Sequence, residues 1–434
     1  MKAKEIILLA IIIVAGVFFY HVQAGKIDIA WDDFIAWDFN EYTYQETQVI
    51  EPPLPASLKV LNSHGQVEIV GAETDRVTFT FEKKIWRRNE ETAREVADRL
   101  HPVVTKGDAA VTITTNRGDF KRRNFETNFR ITVPLGLPVE ITNSYGPVKV
   151  DQVGETTIDN RHGEVSATNI RGGAVIENSY EDVEVSGLQS NCTIRSGHSD
   201  ISVKAVAGEV NIEDSYGMVD FRGGGQKAII TAPHTEIWVE DFSGPLEVRN
   251  TYEKITLRNV GPSRIDGSHS PVDADGVAGN LEITDTYEPI ILKSIRGNLQ
   301  ITGGHLSISG RDVVGDNIYV SSSYEDVDLA DFAGKTTIVL SHGNITLAPL
   351  ALTGPIEVRS TYSPITFYWP GEGRYPVEAQ TKSSDIQWNL SGSVSHEEKD
   401  SLTVVRAFPE VSDKPRILLS TTYGDIHFEK GPNR

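Results

Sequence analysis

Asn178-Ser-Tyr-Glu-Asp-Val-Glu-Val185 returns almost unchanged as Ser322-Ser-Tyr-Glu-Asp-Val-Asp-Leu329, and in looser form as Asn143-Ser-Tyr-Gly-Pro-Val-Lys-Val150. Between these lie versions with His in place of Tyr, among them Asn160-Arg-His-Gly-Glu-Val-Ser-Ala167 and Leu340-Ser-His-Gly-Asn-Ile-Thr-Leu347. A repeat of this kind decides the architecture before any single residue does. The Tyr or His marker falls at positions 64, 145, 162, 180, 198, 216, 234, 252, 269, 287, 305, 324, 342, 362 and 423, and Ser383 takes its place once. Three residues after the marker stands Val or Ile, as Val148, Val165, Val183 and Ile201 show. Four residues before it an aliphatic recurs, as in Ile141, Ile158, Ile176, Ile194 and Ile212.

Each unit reads as strand, polar turn, strand, glycine turn. Alternation such as Val183-Glu184-Val185 has the period of two that turns one face inward. β-Branched residues suit a pleated surface, while Asn, Ser, Asp and Gly supply the turns. Gly154, Gly187, Gly244, Gly261, Gly279, Gly297 and Gly334 mark the second turn. A step of about 18 residues is too short for a crossover helix. The fold class expected is therefore all-β, a parallel β-solenoid or β-helix whose coils stack their strands. An antiparallel β-sandwich array is the alternative, since short strands at regular spacing also suit it.

From 145 to 362 the markers alternate strictly between Tyr and His. Alternation favours a coil of about 36 residues built from two similar half-coils of about 18 over the alternative, an 18-residue coil with every marker in one column. On that reading Tyr145, Tyr180, Tyr216, Tyr252, Tyr287, Tyr324 and Tyr362 form one structural ladder. His162, His198, His234, His269, His305 and His342 form a second on another side. Neighbouring imidazolium charges in a His-only ladder would repel, which predicts a loss of stability in mild acid.

Two insertions interrupt the repeat. The first, between His64 and Tyr145, contains strand-like runs and a predicted helix over 89–100, with Asn89 as N-cap and Pro102 stopping it. The second, about 391–414, is polar and charged and reads as an exposed loop. The organisation expected is a signal peptide or membrane anchor at 1–24 and an N-terminal linker with first strands at 25–57. A first repeat with a strand–helix insertion follows at 58–139, then regular repeats at 140–390, then a polar loop and closing repeat at 391–434.

The chain's 434 residues include 61 acidic and 41 basic side chains, for a formal net charge of −20. Such acidity argues against a nucleic-acid partner, because phosphate backbones demand clustered Lys and Arg. The lone cysteine, Cys192, excludes an internal disulfide framework and any Cys-based metal cluster. Lys2 and Lys4 precede an apolar run over residues 6–20, and Asp28, Asp32 and Asp33 follow it. That polarity is what the positive-inside rule expects of an export segment. Val22-Gln23-Ala24 before Gly25 suits cleavage, whereas extension of the run to Val22 suits an uncleaved anchor.

Leu58-Lys-Val-Leu-Asn-Ser-His-Gly-Gln-Val-Glu-Ile69, the Lys/Arg/Trp-bearing segment around Trp86, Phe129-Arg-Ile-Thr-Val-Pro-Leu-Gly-Leu-Pro-Val-Glu-Ile141 and Thr421-Thr-Tyr-Gly-Asp-Ile-His-Phe428 together carry a resemblance. From about residue 45 to its end the chain resembles a bacterial β-strand-repeat family of unknown function, usually labelled "putative adhesin". The resemblance implies an exported β-helical repeat protein without established enzymatic activity, and it transfers no catalytic residue.

The residues themselves supply little chemistry. Stacked imidazoles offer neutral nitrogens to a transition metal, but no repeated carboxylate accompanies each His to orient it. Planar turn residues that cap the core explain the column more simply. Asp273-Ala-Asp-Gly276 occurs once, without the nonapeptide repeat of calcium-binding β-rolls. Acids recur just after the marker at Glu181, Glu253, Glu288 and Glu325, but no cluster departs from the repeat as a glycoside-cleaving pair would. The basic runs Lys83-Lys84-Ile-Trp-Arg87-Arg88 and Lys121-Arg122-Arg123 suit either solvated strand ends or an anionic surface.

The sequence thus describes an exported, non-enzymatic cell-envelope protein, adhesin-like in shape, offering a scaffold or binding surface to a glycan or a protein. No catalytic residue, cofactor or metal site is assigned, and membrane contact is expected only through an uncleaved N-terminal segment. The periplasm, the outer surface or a single-pass membrane anchorage all fit. A β-helical polysaccharide lyase or hydrolase and a membrane-tethered sensor or regulator are the alternative functions.

Overall fold

A computed structural model describes residues 39–392 and 394–431. The expected export segment, its cleavage site at Gly25 and the acids that follow lie outside the described residues. No helix among those described is long and apolar enough to cross a membrane. The chain divides into two compact units. One comprises residues up to Gln45 together with 82–101 and 116–126; the other holds 46–81, 102–115 and everything from Thr127 onward.

The larger unit is a parallel β-solenoid with about 13 consecutive turns between residues 139 and 369. Each coil contributes two strands, such as Thr156–His162 and Val165–Thr168. Thr156 stands in register with Val139 below and with Ala174 above, so one coil takes 17 or 18 residues here. Every pairing between these coils is parallel, and the antiparallel sandwich is thereby excluded. The 36-residue coil is also corrected: each 18-residue unit is a complete coil, not half of one.

Alternation drives the fold as expected. Ile141, Ile158, Ile176, Ile194 and Ile212 stack inward with at most 1% of their surface exposed. Burying each such side chain is worth roughly 1.5–3 kcal/mol, and the stack repeats that gain at every coil. Outward positions carry ion pairs between neighbouring coils, for example Arg195 with Glu177 and Glu213.

The two ends of this unit are built differently. Ser57–Leu61 pairs with both Ala110–Thr115 and Val139–Tyr145, so the first-laid coil lies inside a later one. At the other end Ile417–Thr421 lies between Ile356–Ser360 and Val377–Lys382. Ile426–Lys430 likewise separates Ile365–Trp369 from Ile386–Trp388. At this end the chain therefore lays its outermost coil first and then returns to fill the gap. Antiparallel strands cover the outer edges: Pro102–Lys106 on Ala110–Thr115, and Leu402–Ala407 on Val377–Lys382. Unpaired strand edges are templates for aggregation, and these covers shield the edges of Ala110–Thr115 and Val377–Lys382. The expected loop over 391–414 is corrected accordingly. Val394–Lys399 and Leu402–Ala407 form an antiparallel hairpin within it.

In the smaller unit the predicted helix spans Glu90–Arg99. The Asn89 side chain accepts a hydrogen bond from the Thr92 backbone N–H, as an N-cap should. Lys83 lies buried and donates to the carbonyl of Ala97, tying strand to helix.

Candidate functional site: an exposed column of rings

Each marker ring stands at the turn between the two strands of its coil. Because Tyr145, His162 and Tyr180 are register partners, their rings fall into one column. Tyr145 and His162 stack at 4.7 Å with planes 7° apart, and His162 and Tyr180 at 4.7 Å and 4°. The widest spacing is 5.4 Å, between Tyr180 and His198. Tyr216, His234, Tyr252, His269, Tyr287, His305, Tyr324, His342 and Tyr362 continue the same stack. His64 extends it below Tyr145 at 4.6 Å, and Tyr423 beyond Tyr362 at 5.0 Å.

The two expected ladders are therefore a single mixed ladder. Every His from His162 to His342 lies between two phenol rings, and successive His residues among them sit two coils apart. The electron-rich faces of Tyr suit a neighbour that carries positive charge, and the intervening ring separates the imidazoles. This removes the His–His adjacency on which the expected acid sensitivity rested.

Stacking consumes the ring faces and leaves their edges outward. The Tyr residues of the column are 42–53% exposed, which is high for so large an apolar body. What the column presents to solvent is thus a line of phenol hydroxyls and imidazole edges, one per coil.

A second column, two residues before the marker, holds the turn in shape. Asn178 is buried, and its amide nitrogen donates to the carbonyls of Tyr180 and Glu181, both at 2.8 Å. Asn160 donates to Gly163 at 2.8 Å and Asn250 to Glu253 at 2.9 Å in the same way. The residue after the marker bends sharply. A Cβ on Gly163, at φ +152°, would lie 2.2 Å from the Gly146 carbonyl oxygen of the preceding coil. Glu181 adopts φ +75° without that glycine, and the bond from Asn178 to its carbonyl offsets the strain. The motif Asn-x-Tyr/His was in plain view in the sequence, yet the Asn column as a structural device was missed.

Two coils carry Asp instead of Asn in this column. Asp214 is 3% exposed; its Oδ2 accepts from Thr235 Oγ1 at 3.0 Å and its Oδ1 has no partner. Asp285 is fully buried and accepts from the backbone N–H groups of Thr286 and Ser270. Burial pushes both carboxyls above the ordinary range, against the hydrogen bonds they accept and the nearby His198 and His269. Neither can reach a substrate, so their shifts mark buried turn residues.

The remaining sequence candidates are accounted for structurally. Asp273 makes a two-pronged pair with Arg258, at 2.9 and 2.8 Å, which holds its carboxyl below the usual range. Asp275 pairs with Lys293 at 3.1 Å, so this acidic turn is engaged by cations of the protein itself. Cys192 is buried, and burial pushes its thiol up to about 12, far from reactive. Among the described residues no group of His, Cys, Asp and Glu is placed to hold a metal ion. Along one flank of the ladder Glu164, Asp182, Glu184, Asp200 and Asp220 line an open acidic groove.

Parallel coils, inward aliphatic stacks and a ring ladder define the class: a repeat-built β-solenoid. Residues 217–429, just under half of the chain, match the family model described as Toastrack DUF4097, a family of unknown function. The resemblance read from the sequence is to such a family. Among solved structures the chain is similar to a "putative cell adhesion protein" from Clostridium sporogenes, at 8% identity, covering 90% of this chain and 100% of that one. The TM-score is 0.18, and a likeness at that level carries no argument about role. No curated protein matches the chain.

Proposed function

We propose that this protein is an exported, non-enzymatic component of the cell envelope whose ring ladder and its flanks form a binding face for a glycan or a protein. The observation that carries the reading is the unbroken column of exposed rings from His64 to Tyr423. It alternates phenol and imidazole edges from coil to coil, repeating every two coils, and a periodic surface suits a periodic or extended ligand. Rigid strands hold the groups in place, so little ordering entropy opposes binding. The Lys2/Lys4 pair and the apolar run after it support export. Asp214 and Asp285, whose carboxyls are raised by burial, lie away from solvent and lend no support to the enzymatic reading.

The test uses the full chain on a glycan array and on isolated envelope fragments, beside a Tyr216→Ala/Tyr252→Ala/Tyr287→Ala variant. Binding by the wild-type chain that falls at least tenfold in the variant is expected. Binding that the variant retains in full would overturn the ladder as the contact face. Fractionation of producing cells should place the chain in the envelope; retention in the cytosol would overturn export.

A further inference from the structure

The two basic runs are 33 residues or more apart in sequence, and the smaller unit brings them together. The backbone N–H of Trp86 donates to the carbonyl of Asn124 at 3.2 Å, and Arg87 Nη1 donates to the same oxygen at 3.2 Å. The strand end carrying Lys84, Arg87 and Arg88 is thereby fastened to the loop carrying Lys121, Arg122 and Arg123. Lys121, Arg122 and Arg123 are exposed, and no carboxylate pairs with them among the described residues. The guanidinium of Arg87 is held below its ordinary value, first by burial and then by the positive charge of Arg122. Like charges this close are costly unless an anion joins them.

The sign of this unit sets it apart. Its described residues hold ten basic against eight acidic side chains, in a chain whose net charge is −20. The same unit contains the start of the first strand, Asn40–Ile50, which follows the apolar run by fewer than twenty residues. Eighteen or so residues reach at most about 60 Å fully extended, so the cluster stays near whatever that run enters.

We propose that the cluster built from Lys84, Arg87, Arg88, Lys121, Arg122 and Arg123 docks on an anionic lipid bilayer. The half-buried Trp86 between the cations suits the headgroup layer, where amphipathic rings collect. Basic side chains near an anionic leaflet add attraction residue by residue, and salt weakens it. This docking is separate from any ligand of the ring ladder, and either proposal stands if the other fails.

The full chain is added to vesicles of phosphatidylcholine alone and of phosphatidylcholine with phosphatidylglycerol, and trypsin cleavage after Arg123 is timed by mass spectrometry. The apolar run can enter both kinds of vesicle, so only the anionic lipid tests the cluster. Cleavage at least tenfold slower on the anionic vesicles is expected, with the difference abolished by high salt. A Lys121→Gln/Arg122→Gln variant, which keeps Arg123 as the cleavage site, should lose that protection and unfold at a temperature no lower than that of the wild-type chain. Equal cleavage on both vesicles would overturn the proposal. Slow cleavage on both, and in detergent, would also overturn it, assigning the cluster to the chain's own acids at Asp28, Asp32, Asp33 and Asp38.

Discussion

The regular coils between residues 139 and 369 and the two ends of the solenoid solve the same problem in opposite ways. In the middle each coil rests on the one just made, and every contact lies about 18 residues away. At the ends the order along the chain and the order in the stack differ. The coil at 57–72 is covered on its outer side by later strands at 110–115 and 125–134 before residue 139 pairs with its inner side. The coil at 417–430 fills a level skipped between 356–369 and 377–388, so partners at the ends lie 40 or more residues apart. The middle is a sum of similar interfaces, as expected of repeat proteins. The ends are closures that form only when distant segments meet. Local pattern therefore specifies the middle, and tertiary fit specifies the ends.

The sharpest way to break the comparison is to remove one closure. Truncation after Lys414 deletes the coil that separates residues 356–369 from 377–388 and leaves two sheets with open edges. Loss of cooperative unfolding and aggregation of the purified chain are expected, read by light scattering and calorimetry. Removing a whole coil from the middle, residues 192–209, should be far milder. Ala174 would then meet Val210 in the same inward register. Such a deletion is expected to leave a folded chain with a single cooperative transition. If it unfolds the protein as truncation does, the contrast between middle and ends is wrong.

A smaller effect sharpens the account of the turn. Asp214→Asn restores the amide that Asn160, Asn178 and Asn250 use, and removes a buried charge. A gain of about 1–3 kcal/mol at neutral pH is expected, the usual cost of leaving a buried polar group unsatisfied. The pH dependence fixes the sign. Because the folded-state carboxyl titrates above its unfolded value, its contribution to stability is fully present below the unfolded pKa near ~3.9 and is lost as pH rises through the raised value. The advantage of the Asn variant should therefore shrink as pH falls toward ~4. Asn250→Asp should show the reverse. Denaturant unfolding across that range measures both.

The smallest effect concerns a single ring. Replacing Tyr216 by Leu keeps the apolar body but ends two ring contacts, to His198 at 5.0 Å and to His234 at 5.2 Å. At roughly 0.5–1.5 kcal/mol per aromatic pair, a loss of about 1–3 kcal/mol is the upper range, reduced by the apolar surface Leu retains.

How much of this was legible follows the same division. Ile141, Ile158 and Ile176 announced the inward face because a strand's period of two is local chemistry. Asn89 announced its helix for the same reason. The alternation of Tyr and His was visible, but it was assigned to a coil of double length. Its physical basis is that one column with Tyr between His residues separates the imidazoles, which spacing alone does not reveal. The hairpin at Val394–Lys399 and Leu402–Ala407 read as a loop because its first strand is polar and exposed, although its second buries Val404, Val405 and Ala407. Nothing in residues 417–430 distinguishes an inserted coil from an appended one. Of the candidate site, the ring positions were readable and the single face they share was not.

The central claim is that one 18-residue unit is one coil and that Tyr and His share one column. Paired cysteines test it directly, since the native Cys192 is buried and does not compete. Stacked parallel strands lie about 4.8 Å apart, within the Cα range a disulfide spans, whereas two levels are about 10 Å apart and outside it. A Tyr145→Cys/His162→Cys chain should oxidise rapidly to an internal disulfide under mild conditions, and a Tyr145→Cys/Tyr180→Cys chain should remain reduced. The opposite result, with 145 bridging to 180 and not to 162, would contradict the account and restore the 36-residue coil.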